Sequence, residues 1–233
     1  MVKNLKIYVV VDNEGYPGFL NDWGLSIYLM TEYWKALFDA DTNPLVLQYN
    51  LERLGLKLED LDFAVLSHHH RDHYGGFTLV GLKKPYLKVF TPPGGEYLKR
   101  AGLRPIIIRE TERVAHDAYV ISPLKAWESF YETSLAVKVE GKGLVLFVGC
   151  SHPGVVNIAR KALEELMMEK LFLIIGGFHG PPPHAIDELA KFADKICPAH
   201  CSGLEIKEYI QSKYPEKYCK VRTGKVIDVR DLS

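Results

Sequence analysis

The sequence predicts an α/β fold with its chemistry gathered at one edge of the sheets. Three observations predict it. Strand-like and helix-like segments alternate through both halves of the chain, the pattern of sheets covered by helices. Four strand-like runs end in histidine, at positions 68/70, 152, 179 and 200, and open α/β sheets place their sites where strands end. The stretch LSHHHRDHYGG, Leu66 to Gly76, packs His68, His70, Asp72 and His73 into six positions.

Taken in order, Lys6 to Val11 (KIYVVV) reads as the opening strand, followed by a loop from Asp12 to Asp22. Leu25 to Met30 and Lys35 to Phe38 read as a hairpin pair. Asn43-Pro44 opens a helix, because Asn caps well and Pro is favoured at the first helical position. Gly55 closes it, and Leu45, Gln48, Tyr49, Glu52 and Arg53 give it an amphipathic pattern. Phe63 to Ser67 is a buried strand, making a βαβ unit with parallel pairing. Lys88 to Phe90, Pro105 to Arg109 and Tyr119 to Ile121 are further strands, with a turn at TPPGG and a short helix from Glu96 to Ala101. Ser122 to Glu132 reads as irregular and aromatic. Its Trp127, Phe130 and Tyr131 suit core or lid packing better than a substrate mouth.

Leu135 to Glu140 and Gly143 to Val148 form a hairpin around Gly141-Lys142-Gly143. Beyond it, Pro153-Gly154 turns into a helix from Val155 to about Lys170. A helix start of this kind attracts anions. Leu171 to Ile175 is a strand, His184 to Phe192 a helix, Lys195 to Cys197 a strand, Leu204 to Lys213 the last long helix, and Val226-Ile227 a closing strand.

Composition narrows the function classes. The 233 residues are read as one domain, 1–233, and 47% hydrophobic content is ample for a core. Lys+Arg and Asp+Glu are both 29, whereas a nucleic-acid footprint makes a domain basic. A nucleic-acid partner is therefore disfavoured. The apolar run of MVKNLKIYVVVDN is too short for a signal peptide or membrane span, so a cytoplasmic protein without a membrane partner is expected. Cys150, Cys197, Cys201 and Cys219 are scattered unevenly, unlike a secreted disulfide framework. Glutamine occurs only at 48 and 211, a thermophile-like trait.

The histidine motif carries the chemistry. In an extended segment residues i and i+2 point the same way, so His68 and His70 can grip one ion. Asp72 and His73 sit where the chain turns and can face a second. His69 and Arg71 point away. Imidazole mixed with carboxylate suits Zn, Mn or Fe. Gly75-Gly76 lets the backbone turn sharply and approach a ligand closely.

This stretch resembles the signature of the metallo-β-lactamase superfamily. NDWGLS (Asn21 to Ser26), LSHHHRDHYGG, VGCSHPGVVNI, IGGFHG and PAHCSG follow in this order. Together they resemble, within that superfamily, the group that includes 7,8-dihydropterin-6-methyl-4-(β-D-ribofuranosyl)-aminobenzene-5′-phosphate synthase. The resemblance spans about residues 6 to 203.

It implies an αββα four-layer sandwich and a metal-dependent hydrolase using a metal-activated water on a phosphate ester or small anionic metabolite. It also implies two divalent metal ions, zinc foremost with manganese or iron as alternatives. His68, His70 and His152 would hold the first, and Asp72, His73 and His200 the second. Asp72 would also orient the water, and His179 would act on substrate or in proton transfer. Asp39 would buttress the metal loop. The superfamily's bridging aspartate is replaced by Cys150, read as packing or supporting, and His152 is preferred to His116 as ligand. A synthase-type transferase is the alternative, with Trp23, Phe19, Tyr74 and Trp127 to stack a pterin. An iron redox enzyme and a non-catalytic metal-binding module are further alternatives. A homo-oligomer is left open.

Overall fold

The structure, a computed structural model, describes residues 1–232. The first half runs β1 (Lys6–Val11), β2 (Ser26–Met30), β3 (Lys35–Phe38), α1 (Pro44–Arg53), β4 (Phe63–Val65), α2 (Arg71–Tyr74), α3 (Phe77–Lys83), β5 (Lys88–Thr91) and β6 (Arg104–Ile107). The second runs β7 (Glu112–Ala115), β8 (Ala118–Val120), β9 (Leu124–Trp127), β10 (Phe130–Glu132), β11 (Leu135–Val139), β12 (Gly143–Val148), α4 (Val155–Glu165), β13 (Leu171–Gly177), α5 (Pro183–Leu189), β14 (Ala193–Ala199), α6 (Leu204–Lys213) and β15 (Val226–Asp228).

Two mixed sheets face each other. The first has the order β15-β1-β2-β3-β4-β5-β6 and the second β14-β13-β12-β11-β8-β7. Between them lies an apolar core that includes Ile7, Ile27, Phe38 and Val65 from one sheet and Val137, Phe147, Leu173 and Ile175 from the other. Leu37, Ala64 and Val89, on the first sheet's other face, meet Leu47, Leu51, Phe77 and Val80 of α1 and α3. Leu146, Ile174 and Ile196 of the second sheet meet α4, α5 and α6 through Ile158, Ala162, Ile186 and Ile210. The result is the expected αββα sandwich, and both sheets are apolar on both faces because each is covered twice.

Strand direction positions the site. β3, β4, β5 and β6 pair in parallel, as do β12, β13 and β14. The loops after β1, β3, β4, β12, β13 and β14 carry Asp12, Asp39, His68, Cys150, His179 and His200.

Local chemistry explains most boundaries. Asn43 caps α1 through Leu45 N at 3.0 Å. The face of α1 that packs is Leu47, Asn50 and Leu51, while Leu45 is 72% exposed; the expected stripe was rotated. Helix α4 stops at Glu165 rather than near Lys170, because Met167 adopts φ 52° and Met168 N returns to Leu163 O, reversing the chain toward β13. Residues 122–132 are not irregular: β9 and β10 pair antiparallel as a hairpin. Their half-buried face lies over histidines rather than over the core, so no clean apolar alternation marks them. Strand β7 also escaped the sequence reading.

The diglycine acts by close approach alone. Gly75 and Gly76 have φ −56° and −75°, in the ordinary helical region. A Cβ on Gly76 would lie 2.1 Å from Ala40 O, so the motif loop can press against the end of β3 only without one. Cys197 and Cys219 form a disulfide, with Cα atoms 4.7 Å apart. Their sequence scatter hid it: Cys219 reaches β14 through a long return, where its N donates to Ile196 O.

Candidate metal centre

The motif histidines converge with residues from three later loops. Asp72, His73, Cys150 and His200 each place one ligand atom within 4.8 Å of the others. His68, Cys150 and His152 do the same, and so do Cys150, His179 and Cys201. Cys150 Sγ belongs to all three groups and lies 3.2 Å from His73 Nε2. Cys150 is buried, as packing requires, but its sulfur also points among the ligand-type atoms. His70 does not join these groups. Its ring lies 4.8 Å from the rings of both His68 and His152 and 4.7 Å from Phe130. His116 is remote, paired with Asp117 at 3.1 Å and packed on Tyr33.

Four of the converging histidines, His68, His73, His152 and His200, are held through Nδ1. His73 Nδ1 meets Asp39 Oδ2 at 2.6 Å. Ser67 donates its hydroxyl to Asp39 and is therefore left to accept from His68 Nδ1 at 2.9 Å. His152 Nδ1 lies 3.0 Å from Glu132 Oε2, and His200 Nδ1 lies 2.9 Å from Asn13 Oδ1. The network assigns the proton to Nδ1 in all four rings and leaves Nε2 as a lone pair. Such pinning fixes tautomer and ring orientation in metal sites. Nε2 of His68 and Nε2 of His200 are buried without a hydrogen-bond partner, although Asp72 Oδ2 is 3.2 Å from the latter. Buried orphans are costly, and a cation in each group would satisfy them. The donor set, imidazole with carboxylate and thiol, fits a divalent transition metal.

Electrostatics prepares the same result. Burial, reinforced by His73, His152 and His70, holds the His68 pKa well below its ordinary value, and burial brings His200 down to about 4 despite Asp72. Burial, then His152, also lowers His70. These rings are neutral at pH 7, as ligands must be. Burial opposes ionisation of Asp72, but His200 and His73 overcome it and hold the carboxyl below its usual range. The Cys201 sulfur beside it, and then burial, push the Cys150 thiol up; a bound cation would reverse that.

Strain concentrates here. Asp39, Asp41, Ser151, His179 and His200 are five of the nine non-glycine residues with positive φ among the described residues, a cost that persists where surroundings over-determine it. Glu132 escaped the sequence reading altogether. Its buried carboxylate accepts from the backbone N of Cys150, Ser151 and His152 at 2.9, 2.7 and 2.9 Å. No periodicity marks it within SFYE. Asn13, Asp12 and Ser67 were equally silent, whereas Asp39 holds the motif loop as expected.

The rim is aromatic and open. Trp127 stacks on Phe130 with centroids 4.5 Å apart, and Trp23 packs 5.3 Å from His200 while 62% exposed. Tyr74 instead packs on Tyr97, and Phe19 presses on Gly224. A cleft of about 330 Å³ between the start of α4 and His179 borders His152. No helix among the described residues is long and apolar enough to cross a membrane.

Comparison with known proteins agrees with this architecture. Residues 30–185 match the profile of the Metallo-beta-lactamase superfamily. A curated relative from Methanocaldococcus jannaschii, 7,8-dihydropterin-6-methyl-4-(beta-D-ribofuranosyl)-aminobenzene-5′-phosphate synthase, is 26% identical and the alignment covers 97% of each chain. An uncharacterized protein of the same organism is 27% identical over 85% of this chain and 91% of its own. Among solved structures, a metal-dependent hydrolase of the beta-lactamase superfamily superposes with a TM-score of 0.81 at 20% identity, covering 96% of this chain and 98% of that one. A diphosphatase of the PhnP family superposes with a TM-score of 0.64 at 12% identity over 98% of both.

Proposed function

Since the chain belongs to the metallo-beta-lactamase superfamily, we propose that it is a metal-dependent hydrolase of a phosphate ester or small anionic metabolite, working in the cytoplasm. The observation that carries this reading is the pair of ligand groups that share Cys150, with bare Nε2 atoms at their centre. His68, His152 and Cys150 would hold one cation, with His70 beside them, and Asp72, His73, His200 and Cys150 a second. Zinc is the metal best suited to imidazole with thiolate, and iron or manganese follow. Bound there, divalent cations would acidify a water and neutralise charge growing on the scissile group.

The chain's own residues supply the rest. Ionised Asp72 can ligate and accept a proton from the attacking water. His179 stands at the exposed rim, its pKa lowered by partial burial and then by His152, so its ring is neutral at pH 7 and has a lone pair with which to take a proton. The cleft at the start of α4 offers backbone N–H groups to an anionic substrate group.

The first test is metal content per chain beside cleavage of a generic phosphodiester, in native protein and in His70→Ala. Two metals with metal-dependent cleavage are expected in the native protein, and in the variant loss of cleavage together with the cation beside His70. Full turnover in His70→Ala would sink the reading.

A second reading is favoured by the full-length alignment with the synthase. A transferase of that type would need the same cations and an aromatic pocket, for which Trp23 and Trp127 are the exposed candidates. Tight pterin binding without phosphodiester cleavage would select it.

A further inference from the structure

We propose that Cys150 and Cys201 form a reversible disulfide at the metal centre, a modification site that a small-molecule disulfide closes when the cations are absent. The consequence for metal rests on the reading of Cys150 as a ligand; the bond itself does not.

The two free thiols among the described residues are these two. Their sulfurs lie within 4.8 Å of each other and of a His179 ring nitrogen. Cys201 sits in the three-residue turn His200–Ser202 that follows β14, and its thiol donates to Cys150 O at 3.7 Å. Gly177 makes the approach feasible. A Cβ there would stand 2.7 Å from Cys201 Sγ and 3.3 Å from Cys150 Cα, so a side chain at 177 would wedge the pair apart. The other two cysteines are already bonded, with Cys197 in the core between the sheets.

Exposure assigns the order of events. Cys201 is partly open, whereas Cys150 is 3% exposed. The Cys201 thiolate attacks one sulfur of the reagent disulfide and expels one small thiolate. The Cys150 thiolate then attacks Cys201 Sγ, and the second small thiolate leaves. The two protein thiol protons end on the two small thiols, so two cysteines are oxidised and one reagent disulfide is reduced. Cys150 Sγ is thereby removed from both ligand groups. A cation already holding that sulfur would block the second attack, so the device locks the metal-free protein and spares the loaded one.

The experiment treats protein as purified, and protein stripped with a chelator, with 2-hydroxyethyl disulfide. Free thiols are then alkylated, peptides mapped by mass spectrometry, and zinc uptake measured before and after dithiothreitol. Stripped protein should yield the Cys150–Cys201 cross-linked peptide, lose both free thiols and refuse zinc until reduced. Zinc-loaded protein should keep the Cys150 thiol and form no cross-link, with Cys201 carrying only the mixed disulfide with the reagent. Cys201→Ser should form no internal bond and should still take up zinc after the same treatment. Stripped protein without the cross-link would overturn the proposal, and so would equal, thiol-reversible loss of zinc uptake in Cys201→Ser. A cross-link in protein that never takes up zinc would leave the bond standing and reject the metal centre instead.

Discussion

His73 Nδ1 lies 2.6 Å from Asp39 Oδ2, with neither side chain reaching solvent. Asp39 also accepts from Ser67 N and Ser67 Oγ, both at 2.7 Å, and Ser67 Oγ in turn meets His68 Nδ1. One carboxylate thus orients a histidine in each ligand group. Burial pushes the Asp39 pKa up while His73 opposes it, and His73 is raised because Asp39 outweighs burial. The pair has its meaning in geometry: both rings are turned so that Nε2 faces the centre.

Asp39→Asn should therefore disorganise the centre more than the fold. The new amide places an N–H against donors, and His73 would relieve the clash by moving its proton to Nε2. Breaking a buried pair costs about 3–5 kcal/mol, read as a lower Tm in calorimetry. Zinc content should fall by the ion held at Asp72, His73 and His200. Unchanged zinc content would show that His73 keeps its orientation without Asp39.

Glu132 gives a second, independent handle, because it grips the other loop. It accepts three backbone N–H groups and His152 Nδ1. Glu132→Gln keeps one acceptor for the Cys150–Ser151 amides but turns a donor toward His152. Losing such a partner weakens metal binding roughly 10–100-fold, measurable by competition with a chelator. Glu132→Ala strands buried donors at about 1–3 kcal/mol each and should lower Tm as well. An unaltered zinc affinity in the Gln variant would reduce Glu132 to a loop clamp.

The contrast between His68 and Glu132 shows what was legible beforehand. Spacing alone marks His68, His70, Asp72 and His73, because six residues fix their relative directions. Strand ends mark His152, His179 and His200, because the fold brings such ends to one edge. Glu132 and Asn13 act through tertiary contacts with rings distant in sequence, and no local pattern encodes that. Cys150 was identified by its departure from the superfamily's aspartate, yet its sulfur's place in three groups depends on how β12, β13 and β14 stack in parallel. The same limit hid β9 and β10, whose apolar face covers the site instead of the core.

Gly76→Ala tests the close approach behind the motif. Gly76 N donates to both Ala40 O and Asp41 O, at 3.0 and 3.1 Å, and an added Cβ would collide with that same Ala40 carbonyl. Overpacking costs typically about 1–3 kcal/mol, and here backbone must yield. Tm should fall and zinc content with it, because α2 carries Asp72 and His73. An unshifted Tm would mean that α3 slides freely along the sheet.

Asp41 provides the pH dependence. Its side chain is fully buried, Oδ1 has no hydrogen-bond partner, and burial pushes its pKa up to about 7 against the backbone N–H groups of Thr42 and Asn43. An unfolded aspartate titrates near ~3.9. Below that value both states are protonated and the group contributes no difference. Between about pH 4 and 7 the folded state holds a proton that the unfolded state has released, so stability falls as pH rises through this window. Above pH 7 the buried carboxylate is ionised in both states, and the cost, on the order of a few kcal/mol, is constant. Asp41→Asn removes the titration. Urea unfolding of the two proteins at matched metal content should show the variant's advantage growing from pH 4 to 7 and then levelling. A flat difference across that range would show that the Asp41 carboxyl finds a partner, such as a water on Oδ1, that keeps it ionised in the fold.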